Sequence, residues 1–166
     1  LLAHFWKAVL KNEWHEKVPY NISVIIGSLY CGGSCLISYG GVIGLVSSAQ
    51  IIVLVAFNVV GYTLAEKIIF ELLFVEDIGG TIGIHLFGSS FGIACAVGCL
   101  WRMRNPKMYP KNTSSYISNL FSFAGSVFLF MYWPSFNAAF AINNEERIRA
   151  ICNTFLALSS SAVATF

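Results

Sequence analysis

Residues 18–65 read VPYNISVIIGSLYCGGSCLISYGGVIGLVSSAQIIVLVAFNVVGYTLA. The 48 residues from Val18 to Ala65 contain no Asp, Glu, Lys or Arg. Wound as one helix they would be about 70 Å long, against a bilayer hydrocarbon core of about 30 Å. The run must therefore be two membrane spans joined by a turn. The turn signal is Gly44-Leu45-Val46-Ser47-Ser48. Lipid offers the backbone no hydrogen-bond partner, so each span is expected to be a helix that satisfies itself. The apolar and polar alternation of a barrel strand is absent.

The same pattern continues outward from that run. Between Ile78 and Trp101 the ionisable groups are those of His85 and two thiols, and Asn112 to Asn144 and Ala150 to Phe166 are uncharged. Of the 166 residues, 57% are hydrophobic and only 11% charged, where a soluble domain carries about 25%. The mean hydropathy is +0.70. Such a chain cannot cover itself with a solvated surface, which excludes a soluble enzyme and a disordered tail. The net charge of +2 is too small to grip phosphates, so no nucleic-acid partner is expected. The expected fold is all-α, a polytopic membrane helix bundle in a lipid bilayer. Six helical pieces are predicted, at about 1–10, 20–45, 49–74, 78–102, 116–141 and 146–166, as parts of a single domain. The chain opens without Met and closes inside an uncharged run, so it reads as a segment of a longer protein.

Charge sets the expected orientation. Arg102, Arg104, Lys107 and Lys111 crowd one loop without an acid, which places that loop in the cytoplasm by the positive-inside rule. Glu66, Lys67, Glu71, Glu76 and Asp77 then lie outside, the turn at 45–48 inside, and 142–146 outside. The sequons at Asn21 and Asn112 are poor acceptors in this topology, one at the membrane surface and one cytosolic. Cys31, Cys35, Cys95, Cys99 and Cys152 all sit in apolar runs and read as small packing residues. No His or carboxylate stands near them at metal-ligand spacing. Gly40 and Gly44, Gly79 and Gly83, Gly88 and Gly92, and Ser34 and Ser38 repeat a four-residue small-residue spacing, which suits close helix packing or the lining of a pore.

Three features bear on chemistry. His85 is an ionisable group at membrane depth, where such groups mark function by default. Desolvation favours its uncharged form, which offers one donor and one acceptor nitrogen. It reads either as a pore group passing a small polar solute or as a histidine bonding a neighbouring helix. Asp77 precedes the fourth helix and is expected to cap the amides of Gly79 and Gly80, or to favour cations at a vestibule. Projected on one α-helix, Asp77 and His85 fall about 80° apart, on one broad side. Third, Met131-Tyr132-Trp133-Pro134-Ser135-Phe136-Asn137 sets aromatic rings around a helix-disrupting proline. Those rings suit an interfacial belt or a pore closure. A haem bundle needs facing axial histidines, and His4 and His15 are expected near the outer surface, away from His85.

The run Asp77-Ile78-Gly79-Gly80-Thr81-Ile82-Gly83-Ile84-His85-Leu86-Phe87-Gly88-Ser89-Ser90-Phe91-Gly92 resembles the fifth-helix motif of the Rh glycoproteins, the animal branch of the Amt/Rh ammonium transporter family. Phe128-Leu129-Phe130-Met131-Tyr132-Trp133-Pro134-Ser135-Phe136-Asn137 resembles the sixth-helix signature of the same family. Arg149-Ala150-Ile151-Cys152-Asn153-Thr154-Phe155 is similar to the start of its seventh helix. The resemblance implies a partial Amt/Rh-type fold, running from the second helix into the seventh. It implies transmembrane transport of ammonia or ammonium through a hydrophobic pore in each subunit of a homotrimer. Carbon dioxide is a further candidate solute. It implies a plasma-membrane location, no cofactor and no enzyme chemistry.

In that pattern His85 takes the place of the first pore histidine and Asp77 that of the vestibular aspartate. Phe136 takes the place of one gating phenylalanine. The other gate falls in Cys35-Leu36-Ile37-Ser38-Tyr39-Gly40-Gly41-Val42, where this chain carries Tyr39 and so adds a hydroxyl to the ring. The second pore histidine belongs beyond Phe166. The alternative within the family is a non-conducting structural subunit of a membrane complex. Those lineages lack the aspartate and histidine that stand here as Asp77 and His85.

Overall fold

The structure is a computed structural model that describes residues 2–11, 21–102 and 113–165. Every regular element among the described residues is helical. The helices are α1 (Leu2–Lys11), α2 (Ile22–Val42), α3 (Ser48–Glu66), α4 (Phe87–Arg102), α5 (Tyr116–Asn137) and α6 (Asn144–Thr165). The all-α membrane bundle expected from composition is what the chain forms. Among the described residues, three helical stretches are long and apolar enough to cross a membrane: Ile22–Val42, Ser48–Leu72 and Thr81–Trp101. Arg104, Lys107 and Lys111 of the basic loop, His15 and the sequon at Asn112 lie outside the described residues.

Local chemistry explains where the helices begin. Asn21 caps α2, its Oδ1 accepting from Val24 N at 3.0 Å. Ser47 and Gln50 form a reciprocal capping box on α3, in which Ser47 N donates to Gln50 Oε1 at 2.8 Å. Between these two helices Gly44 takes φ 80°, a left-handed conformation that any β-carbon would disfavour. This is the turn that divides the long uncharged run. Ser115 and Ser118 cap α5 in the same reciprocal way. At α6, Asn143 Oδ1 accepts from Glu146 N at 2.8 Å, and the acids Glu145 and Glu146 sit in the first turn, where the helix dipole favours them.

Two segments depart from the regular helices that the periodicity suggests. After Glu66 the winding loosens to π geometry over Lys67–Leu72, and Leu73 N reaches back five residues to Ile68 O at 2.9 Å. The chain then turns through Phe74, at φ 51°, and Gly80, at φ 69°. It re-enters as a second π-wound stretch, Thr81–Leu86, before α4. Single π turns inside helices are rare and concentrate at functional sites. A pattern of apolar residues cannot tell 3.6 from 4.4 residues per turn over six positions. The end of α5 also differs: the helix stops at Asn137 rather than near 141, and Ala138 N closes it on Pro134 O at 3.1 Å.

The described chain divides into two compact units. The first holds α1 to α4 and the π-wound residues from Ile82 onward. Its core gathers Ala3, Cys31, Cys35, Val59, Tyr62 and Ile84, with Trp6, Tyr30, Ile37, Val55 and Phe87 packed against it. Two ion pairs tie α1 to the far end of α3 and its π turn, Lys7 to Glu66 at 2.8 Å and Lys11 to Glu71 at 2.9 Å. Lys67 Nζ donates to Leu10 O at 2.7 Å and so closes the last turn of α1. His4 Nε2 lies 2.9 Å from Val24 O. The second unit holds residues 77–81 with α5 and α6. There Phe130 meets Phe155 edge to face, with ring centroids 6.1 Å apart.

Candidate functional site

Small residues bring α2 and α4 into backbone contact within the first unit. A β-carbon built on Gly92 would stand 2.8 Å from Ser38 O, and one on Gly41 would stand 2.9 Å from the Gly92 carbonyl carbon. One on Gly88 would meet Ser34 O at 3.0 Å. In lipid no hydrophobic effect drives helices together, so close packing and interhelical hydrogen bonds must. Of the four-residue small spacings in the sequence, Gly88 with Gly92 and Ser34 with Ser38 therefore face each other across one seam.

That seam positions His85. The histidine lies near the end of the π-wound stretch, half-buried, with Ile84 beside it in the core. Ile84 Cγ2 lies 3.7 Å from where a β-carbon on Gly33 of α2 would be. Phe87, two residues after His85, stands edge to face with Tyr62 of α3, centroids 6.0 Å apart, and stacks on Phe91 at 5.9 Å. Tyr39 is also half-buried, on α2 immediately after the fully buried Ser38. His85 and Tyr39 thus belong to the same compact unit.

Asp77 and Phe136 belong to the other. The carboxylate of Asp77 caps a helical start, where Thr81 N donates to Oδ1 at 2.8 Å. Gly80 N points to the Asp77 main-chain oxygen at 3.4 Å. Residues 77–80 form a turn and 81–86 are π-wound, so the projection of Asp77 and His85 on one regular α-helix does not hold. Phe136 is 47% exposed and stacks on Trp133, with centroids 5.0 Å apart and planes 20° apart. Pro134, which lacks an amide hydrogen, is buried three residues before the end of α5.

Asn137 joins these two pieces, and the sequence reading did not single it out. Its Nδ2 donates to Thr154 Oγ1 of α6 at 3.2 Å, and that hydroxyl donates to Ala150 O at 2.7 Å. The amide is thereby oriented with Oδ1 toward Gly79, where a β-carbon would lie only 2.7 Å from it. Gly79 is therefore required by contact, in the turn that carries Asp77. A second missed residue is Asn58 of α3, fully buried and bonded to Ser34, Cys35 and Ser38 of α2. The signal for both was in the sequence. An amide side chain inside an uncharged run must find partners there, and those partners report which helices meet.

Comparison with known proteins bears on this arrangement. A family model described as the Ammonium Transporter Family matches residues 24–166. An ammonium transporter Rh type C of Xenopus laevis is 37% identical, over 99% of this chain and 36% of its own length. An ammonium transporter Rh type B of Takifugu rubripes is 34% identical, over 100% of this chain and 38% of its own. A Rhesus-like glycoprotein B of Dictyostelium discoideum is 42% identical, over 87% of this chain and 24% of its own. The chain spans roughly a third of the length of the first two relatives. The match covers both π-wound stretches, the glycine seam and the aromatic end of α5, and the chain belongs to the ammonium transporter family, on its Rh branch.

Proposed function

We propose that the full-length protein carrying this chain conducts ammonia across a membrane through a hydrophobic pore in each subunit, with His85 as an uncharged pore group. The observation that carries this reading is the placement of His85. It is held half-buried in a π-wound stretch, beside a seam where the backbones of α2 and α4 touch. A bare ammonium ion in an apolar conduit faces a desolvation cost of tens of kcal/mol by idealised estimates. Ammonia does not carry that cost, and a neutral imidazole can hydrogen-bond to it without presenting a charge. By the family resemblance Asp77 supplies negative charge to the pathway, and Phe136 and Tyr39 each take a gating position, since cation–π attraction to such a ring holds the ion before it sheds its proton. The two units are parts of one membrane domain, which assembles as a homotrimer in the plasma membrane. Carbon dioxide is a second candidate solute.

The test is uptake. Expressed in yeast lacking its own ammonium transporters, the full-length protein is expected to restore growth on low ammonium and to take up methylamine above empty-vector controls. No uptake at verified surface expression favours the alternative, a non-conducting structural subunit. The presence of both Asp77 and His85 supports conduction over that alternative.

Tyr39 gives a narrower prediction. Tyr39→Phe keeps the ring and removes a hydroxyl that water or a passing solute must rearrange around. Flux is expected to equal or exceed that of the unmodified protein, measured per molecule at the surface. A large loss would assign the hydroxyl a role in conduction.

A further inference from the structure

A connected set of buried polar groups runs through the seam, and the proposed reaction does not use it. Asn58 of α3, Ser34 and Ser38 of α2 are fully buried. Asn58 Nδ2 donates to Ser38 Oγ at 2.6 Å. Having accepted there, the Ser38 hydroxyl directs its own hydrogen to Gly88 O of α4 at 2.8 Å, with Ser34 O a second acceptor at 3.0 Å. Asn58 Oδ1 in turn accepts from Ser34 Oγ at 3.4 Å and Cys35 Sγ at 3.3 Å. One amide on α3 thus sets the hydroxyl of α2, and that hydroxyl grips the backbone of α4. The glycines let the backbones meet, and these bonds fix the register at which they do so.

The place of the grip is informative. Gly88 is the second residue of regular α-helix after the π-wound stretch that ends at Leu86. A π turn holds one residue more than an α turn and is less stable by itself. Relaxation to α geometry would rotate everything before the junction by about 100°, one residue's share of a helical turn. His85 would then leave its present bearing. Tyr39 is the residue of α2 that follows Ser38.

We infer that Asn58 and Ser38 are positioning residues: the Asn58–Ser38–Gly88 chain pins the junction after the π turn and so holds His85 at a fixed bearing relative to Tyr39. This rests on the conduction reading above. Neither side chain needs to touch the solute. Their effect passes through backbone register, the kind of two-arrangement element by which packed groups influence a distant site.

The experiment compares Ser38→Ala, Ser38→Cys and Ser38→Thr in the full-length protein. Alanine removes the donor, cysteine keeps the volume with a much weaker donor, and threonine keeps the hydroxyl. Three quantities are read for each: flux per surface molecule, the ratio of ammonia to methylamine flux, and the rate at which diethyl pyrocarbonate modifies His85, located by mass spectrometry. Alanine and cysteine are expected to lower flux about fivefold, the size of one net hydrogen bond, to change the solute ratio, and to change the His85 labelling rate. Threonine, whose extra methyl enters a fully buried site, is expected to lower the surface amount while the molecules that reach the surface keep all three near the unmodified values. Asn58→Ala should reproduce the alanine result at Ser38, because both break the same chain. A merely structural role lowers surface amount and thermal stability but leaves flux per molecule, solute ratio and labelling unchanged, and that result overturns the inference. If Ser38→Ala fails to fold, the cysteine and threonine pair decides. If the unmodified protein conducts nothing, the conduction reading fails, while His85 labelling still tests the positioning role by itself.

Discussion

Replacing His85 by alanine in the full-length protein is expected to lower ammonia flux about tenfold, the factor that corresponds to losing one hydrogen bond of about 1.4 kcal/mol to the solute. Assembly should survive. His85 is half-buried rather than part of the core cluster, and the core contact of its segment is made by Ile84. Truncation at 85 therefore removes a polar surface from the proposed conduit without opening a cavity in the core. The measurement is single-turnover uptake into proteoliposomes, normalised to protein that elutes at its native size. Unchanged kinetics would return His85 to the reading in which it bonds a neighbouring helix. A collapse in folded yield would say the same, because a packing residue fails in stability before it fails in transport.

Gly92→Ala and Gly98→Ala make the second test, on one helix and with one chemical change. The added methyl group at Gly92 would lie 2.8 Å from Ser38 O and 3.0 Å from Ser38 Cα, both backbone atoms that no rotamer change can move. At Gly98 nothing lies within 4 Å. Gly92→Ala is therefore expected to cost about 2 kcal/mol of stability through overpacking. Gly98→Ala is expected to be neutral or to gain up to about 1 kcal/mol from helix propensity. Thermal unfolding in detergent, followed by size exclusion, reads the difference. Similar melting of the two variants would mean that α2 and α4 do not meet at this seam.

Much of the architecture was legible before any coordinates, and the reason is the solvent. An uncharged run of residues 18–65 is too long for one span, and Gly44 with Ser47 marks its division. Caps at Ser47 and Ser115 obey local hydrogen-bond chemistry that involves residues only three apart. The division between α2 and α3 depends on the chain's own covalent neighbours and on the absence of water, so reading along the line suffices. The π-wound stretches were not legible in that way. The apolar pattern of Thr81–Leu86 satisfies either winding, and the flanking bonds of Asp77 Oδ1 with Thr81 N and of Ser38 Oγ with Gly88 O join positions that no local periodicity links.

The site divides along the same line. His85 and Asp77 were singled out because an ionisable group in an apolar setting stands out from its neighbours in sequence, and Phe136 and Tyr39 because the resemblance to the Amt/Rh family marks their positions. Asn58 and Asn137 were passed over, although they stand out in the same way, because an amide announces only that partners exist. Sequence alone established that this chain lives in lipid as helices and named the groups that lipid makes costly. Which of those groups meet was decided by tertiary structure, since the contacts of Gly92 with Ser38 and of Gly79 with Asn137 join residues more than fifty positions apart. Between helices in lipid, shape and hydrogen bonding do the joining, and neither leaves a periodic trace along the chain.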